Sequence, residues 1–169
     1  LAGSFPGSRV RTLFNTHWHW DHTGFNAAAA AAGADIVAHE NTRLWLGVEV
    51  DCPHEGRRHP PRPVKARPNQ TFFHGSKTVE FGGQVLEYGY LPQAHTDGDL
   101  YVYFPREDVL VAGDVAGGRR YPRLDPCSNG WLGGMAQGLK QLAARAGADT
   151  RIVGGRGPVL GPADLKAQE

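Results

Sequence analysis

Residues 16–24 read Thr16-His17-Trp18-His19-Trp20-Asp21-His22-Thr23-Gly24, so three histidines and an aspartate fall within six positions as His-x-His-x-Asp-His. Imidazole nitrogen and carboxylate oxygen are ligands that a divalent ion such as zinc takes. On a tight loop His17 and His19, two apart, can aim at one ion. Asp21 and His22 can then aim at a second ion beside it. We read the stretch as a metal site rather than a solvated histidine run.

At these residues the chain resembles the metallo-β-lactamase-fold hydrolase superfamily, whose signature is this loop. Later segments extend the resemblance over most of the chain: Ala94-His95-Thr96-Asp97-Gly98-Asp99 stands where the family carries a further histidine, and Val111-Ala112-Gly113-Asp114 where it carries a metal-bridging aspartate. The resemblance implies that His17, His19 and His95 hold the first zinc. Three imidazoles leave one position open, the mark of a catalytic zinc site. It implies equally that Asp21, His22 and Asp114 address the second metal, with Asp114 able to bridge. The implied chemistry is hydrolysis: zinc lowers the pKa of its bound water to around 7, and the resulting hydroxide attacks a carbonyl-type centre. Asp21 is the catalytic candidate, as the group that orients the water and shuttles a proton.

The fourth family motif, a Gly-His-Gly turn, departs. Here that place reads Ile152-Val153-Gly154-Gly155-Arg156-Gly157-Pro158. Guanidinium is always protonated and has no lone pair, so Arg156 cannot coordinate a cation. The expectation is one tightly bound zinc and a second that is weak or absent. Three dispositions stay open for Arg156: pairing with Asp21 or Asp114, gripping a substrate carboxylate bidentately, or turning to solvent.

Elements that could position these groups follow from local pattern. Val10 to Asn15 reads as a short strand feeding the histidine loop, a placement suited to catalytic groups. Phe25 to Ala32 reads as a helix, six successive alanines having the best propensity, with Gly33 as its cap. Asp35 to His39 reads as a strand with His39 a structural histidine at its end, and Asn41 to Leu46 as a short helix. No period appears from Gly47 to Asn69, where five prolines punctuate an irregular stretch made basic by Arg57, Arg58, Arg62, Lys65 and Arg67. That stretch reads as a solvated loop or as a lid that meets an anionic substrate.

Thr71 to Phe73, Lys77 to Phe81, Gln84 to Tyr90, Leu100 to Phe104, Val109 to Ala112 and Arg151 to Val153 read as strands, with Gly82-Gly83 a hairpin turn. A strand, short turn and strand make the sheet at least partly antiparallel. Tyr121-Pro122-Arg123-Leu124-Asp125 resembles a Tyr-Pro-x-x-Asp segment in one branch of the superfamily. Helices are expected over Leu132 to Arg145 and Ala163 to Ala167. The fold class is therefore α/β, and the resemblance implies an αββα sandwich.

At 169 residues the chain is sized for one domain with a core. Lys+Arg 18 against Asp+Glu 17 leaves a formal charge of +1, so no global field favours nucleic acid or an anionic membrane. No apolar run approaches the ~20 residues of a membrane span. Cys52 and Cys127 lie far from the histidine motifs in sequence and read as ordinary thiols; a disulfide or a Cys52/His54 metal pair is the lesser reading. The chain opens on Leu1, and Met135 is its single methionine. Against the family pattern it looks truncated at both ends, with the sandwich incomplete at its start and a sheet edge left unpaired. Compartment and oligomeric state stay open.

These readings converge on a zinc-dependent hydrolase of a small-molecule substrate: a β-lactam, lactone, thioester or ester. The alternative is a non-catalytic fragment of the same fold that has lost one metal site through Arg156.

Overall fold

The computed structural model describes residues 9–53, 56–118 and 123–169. The Cys52/His54 pairing and the Tyr121-Pro122 pair fall outside them. Three parallel strands, β1 (Thr12–Phe14), β2 (Asp35–His39) and β5 (Gln70–Phe72), form one sheet in the order β1-β2-β5. The other large sheet runs β10-β9-β8-β7-β6, built from β6 (Ser76–Phe81), β7 (Gln84–Leu91), β8 (Asp99–Phe104), β9 (Val109–Gly113) and β10 (Arg151–Gly154). It is antiparallel except where β10 joins β9 in parallel. The β6–β7 turn is Gly82-Gly83, both at positive φ, which glycine adopts without steric cost.

Alternation along the strands divides the core. Val37 and Phe72 from one sheet meet Leu86, Tyr88, Leu100 and Val102 from the other in one apolar layer. Their neighbours Ile36 and Ala38, on the opposite face of β2, are buried too. Helices α2 (Asn26–Ala31) and α3 (Glu40–Trp45) pack on β2. On the far sheet, α4 (Leu132–Ala143) and α5 (Pro162–Lys166) bury Met135, Leu139, Leu142 and Leu165 against Leu91, Leu110, Ala112 and Ile152. The result is helix, sheet, sheet, helix, as expected.

α4 shows packing overriding propensity. Gly133, Gly134 and Gly138 cost the helix roughly 1 kcal/mol each. Burial of Met135, Leu139 and Leu142 returns about 1.5–3 kcal/mol apiece, which outweighs that cost. Gly134 and Gly138 also have a positional reason: a Cβ on Gly134 would lie 1.9 Å from the Gln93 carbonyl oxygen, and one on Gly138 3.1 Å from Ala94 Cβ. Their smallness lets α4 press against the loop that carries His95.

Two expectations need correction. Residues 47–69 are not irregular throughout: β3 (Val50–Cys52) and β4 (Arg57–His59) form an antiparallel hairpin, followed by a 3-10 turn at Val64–Ala66. The strands are three residues each, too short for period-2 patterning to register. The histidine loop is not wholly irregular either, since Trp20–Thr23 forms the one-turn helix α1.

Candidate metal centre

The histidine loop leaves the end of β1 and is pinned on both sides. Asn15 and Asn26 exchange reciprocal amide hydrogen bonds of 2.9 Å, both side chains buried, which ties the strand end to α2. Leu100 N–H donates to the Thr16 carbonyl at 2.8 Å, tying the loop to β8. His95 follows β7 on a turn whose Thr96 N–H and hydroxyl both donate to Asp99, at 2.7 and 2.9 Å. Asp114 follows β9 directly after Gly113, whose φ of +56 turns the chain under Thr16. A Cβ at Gly113 would meet Thr16 Cβ at 2.7 Å, so the close approach needs glycine for space as well as for conformation.

These segments bring His17, His19, His95 and Asp114 together: one ligand atom of each lies within 4.8 Å of the other three. The partners on the outer ring nitrogens decide which way the lone pairs face. His19 Nε2 sits 2.9 Å from Asp125 Oδ2, and His95 Nδ1 sits 2.5 Å from the Arg123 carbonyl oxygen. Both oxygens only accept, so those nitrogens carry the protons. His19 Nδ1 and His95 Nε2 are left with lone pairs, 3.2 Å apart. Nitrogens on a tetrahedral zinc at ~2.0–2.1 Å stand about 3.4 Å from each other. His17 is fully buried, holds Thr16 Oγ1 at 3.1 Å with Nδ1, and has no hydrogen-bond partner at Nε2. A buried nitrogen without a partner is costly unless something fills the place. These donors fit a divalent cation.

Electrostatics keep them in ligand form. Burial, aided by the neighbouring imidazoles of His95, His19 and His22 and by Arg156, holds the His17 pKa well below the usual histidine range. Burial likewise lowers His95, against the opposing hydrogen bond to the Arg123 carbonyl. Burial works against ionisation of Asp114, but the close contact of His22 and the charges of His22, His95 and Arg156 outweigh it and lower its pKa. The same contest at Asp125, settled by hydrogen bonds from His19 and Ser128, brings its carboxyl down to about 2. Asp125 thus stands as a carboxylate behind His19, the arrangement that orients a ligating imidazole and raises its basicity. The sequence reading passed over this role, although Asp125 closes the Tyr-Pro-x-x-Asp segment it singled out.

Asp21 and His22 sit to one side. His22 Nε2 lies 3.3 Å from Asp114 Oδ1 and 3.7 Å from Asp21 Oδ2, and its pKa is raised, foremost by its close contact with Asp114. Arg156 is ion-paired with Asp21, and its Nε stands 3.9 Å from Asp114 Oδ2. Of the three dispositions left open for Arg156, pairing is the one seen. Gly155 makes this approach possible, because a Cβ there would lie 1.8 Å from Asp114 Oδ1.

The cluster opens into a cavity of about 940 Å³. Trp18, Trp20 and Leu124 line it with apolar surface, and Arg57, Arg123, Arg156 and His59 with basic groups. Arg57 and His59 come from the β3–β4 hairpin. Arg62 of the same segment stacks its guanidinium 3.9 Å from the Trp20 ring centre. Cys52 also lines this cavity and Cys127 lies beside Asp125, so the thiols are remote from the histidine motifs in sequence only. They are not joined in a disulfide.

The family model described as "Metallo-beta-lactamase superfamily" matches residues 2–166. Among curated proteins, a hydroxyacylglutathione hydrolase of Thermosynechococcus vestitus is 31% identical over 80% of this chain and 46% of its own length. The alpha subunit of a 2,4-dinitroanisole O-demethylase from a Nocardioides species is 33% identical over 68% of this chain and 32% of its own. The chain thus spans less than half the length of these relatives. Among solved structures, a metallo-beta-lactamase from Pontibacter korlensis superposes with a TM-score of 0.70 at 23% identity, covering 93% of this chain and 66% of that one. The BLEG-1 B3 metallo-beta-lactamase superposes at 0.73 with 20% identity, over 93% and 74%. At such identities the likeness is one of fold.

Proposed function

The chain belongs to the metallo-beta-lactamase superfamily, and from that premise we propose that residues 1–169 form one metal-binding domain of a zinc-dependent hydrolase acting on a small carbonyl-type substrate. Thioesters lead β-lactams, lactones and other esters as substrates, because hydroxyacylglutathione hydrolases recur among the curated relatives. The observation that carries the reading is the convergence of inward-facing ring nitrogens from His17, His19 and His95 on one carboxylate, Asp114.

In this reading His17, His19 and His95 would hold one zinc with a position left for water, and Asp114 would stand beside it. Bound there, zinc supplies Lewis acidity: it polarises a carbonyl oxygen and lowers the pKa of water in its open position. Asp125 holds His19 in the tautomer that turns Nδ1 inward. Asp21, about half exposed at the cavity, is the group placed to orient water and take up a proton. Arg156 stands where a second metal would need a ligand, neutralising Asp21 and Asp114, so the histidine cluster holds one metal tightly. Its exposed guanidinium, with Arg57 and Arg123, favours a substrate that carries a carboxylate. Among the described residues no helix is long and apolar enough to cross a membrane.

A second reading rests on the Arg156–Asp21 pair: an aspartate held by guanidinium is hindered as a proton acceptor, and the domain then binds one metal without turnover. Elemental analysis of the purified protein, followed by assay against hydroxyacyl thioesters, lactones and β-lactams with and without chelator, separates the two. At least one zinc per chain with chelator-sensitive hydrolysis is expected. One zinc without turnover selects the second reading, and no bound metal overturns both.

A further inference from the structure

Outside the histidine cluster, among the described residues, one more group of ligating side chains converges: a sulfur each from Cys52 and Cys127 and a carboxylate oxygen of Asp125 all lie within 4.8 Å of one another. They come from two separate parts of the chain. Cys52 ends β3, whereas Asp125 caps the 3-10 turn Pro126–Ser128, accepting from Cys127 N–H at 2.9 Å. We propose that Cys52, Cys127 and Asp125 form a second cation site, for a thiophilic divalent ion such as zinc or cadmium, directly behind His19.

Size supports this. Sulfurs on a tetrahedral ion at ~2.3 Å stand about 3.8 Å apart, so closing the trio onto an ion needs movement of about 1 Å or less. Ligand type supports it too, since two thiolates select soft ions where imidazole and carboxylate do not. Binding replaces the two thiol protons, which leave to solvent, and hydrogen bonds from His19 and Ser128 fix the Asp125 carboxyl group beside the two sulfurs. Cys52 and Asp125 both line the cavity, which gives an ion a route to the thiols. Because Asp125 also bonds His19 Nε2, an ion at the thiols shares a ligand's partner with the histidine site. The competing account is plain packing, since Cys52 sits in an apolar cluster with Trp18, Leu46 and Val50.

Cobalt distinguishes these accounts, because a sulfur-to-cobalt charge-transfer band in the near ultraviolet requires thiolate coordination. Metal-free, fully reduced protein titrated with Co2+ is expected to develop that band and bind two equivalents. Cys127→Ser and Cys52→Ala are each expected to lose the band and one equivalent, while His17→Ala keeps the band. Should Cys52→Ala fail to fold, the partly exposed Cys127 is the deciding variant, together with alkylation of the wild-type thiols, expected to slow at least tenfold with Cd2+ present. Absence of the band at saturating Co2+, or thiols that alkylate equally fast with cadmium, overturns the site. Loss of hydrolysis alone bears on the histidine cluster and leaves this proposal standing.

Discussion

The guanidinium of Arg156 pairs with the carboxylate of Asp21 across 135 positions of sequence, and the pair lies beside Asp114 at the rim of the histidine cluster. A guanidinium has five donors and no lone pair, so it satisfies these carboxylates electrostatically where a ligand would satisfy a cation. Replacing it reverses the situation. Arg156→His is expected to raise bound zinc by about one per chain, with His22, Asp21 and Asp114 supplying the remaining donors. Elemental analysis after dialysis checks this. An unchanged stoichiometry places residue 156 outside the metal chemistry.

Asp125 acts on the metal through His19. Asp125→Asn keeps the side chain's size and its capping of the 3-10 turn but removes the charge that polarises the imidazole. Such outer partners are worth about 10–100-fold in metal affinity. Competition against a chromophoric chelator is expected to show a loss in that range, with the circular dichroism spectrum unchanged. Equal affinity for both proteins would mean that His19 needs no partner.

How far the sequence could lead is clear from these residues. The His-x-His-x-Asp-His loop was legible because its donors are contiguous, and β2 and α2 because their patterns are local. Arg156 was legible as a misfit within a motif, but its pairing partner depended on a distant loop. Asp125 was assigned no role and Cys52 was read as an ordinary thiol, since nothing in their own neighbourhoods says which histidine or which thiol they will face. The β3–β4 hairpin escaped because its strands are too short to show a period. Long-range convergence is a property of the packed sheets, and single-chain patterning does not carry it.

Burial gives His39 a pH signature away from the metal. Its Nδ1 accepts from Asn41 N–H at 3.1 Å and caps α3, and Nε2 donates to the Phe73 carbonyl at 2.9 Å. Burial lowers its pKa despite that carbonyl, and it lowers His17 and His95 as well. A base with a depressed folded pKa stays neutral in the fold while the unfolded chain takes up a proton. Stability is then complete above the unfolded value of about 6.5 and is lost as pH falls below it. His22, with its raised pKa, opposes this, but it is one group against three. The melting temperature of chelator-treated protein is therefore expected to fall between pH 7 and pH 5. In His39→Asn, which keeps a capping side chain, the fall is expected to be smaller.

Gly155 tests the geometry without touching a ligand. A Cβ there would lie 1.8 Å from Asp114 Oδ1 and 2.8 Å from His22 Cε1, so one side must move. The backbone has little room to yield, because Gly155 N–H donates to the Gly113 carbonyl at 2.8 Å, just past the end of the β9–β10 pairing. Asp114 is the mobile partner and swings out. Overpacking of this kind costs about 1–3 kcal/mol, so Gly155→Ala is expected to lower the urea midpoint accordingly. Displacement of Asp114 makes a separate demand, weaker zinc retention on dialysis at a pH where the fold is intact. A variant with reduced stability but undiminished zinc would show that the Asp114 carboxylate does not contribute to holding the ion.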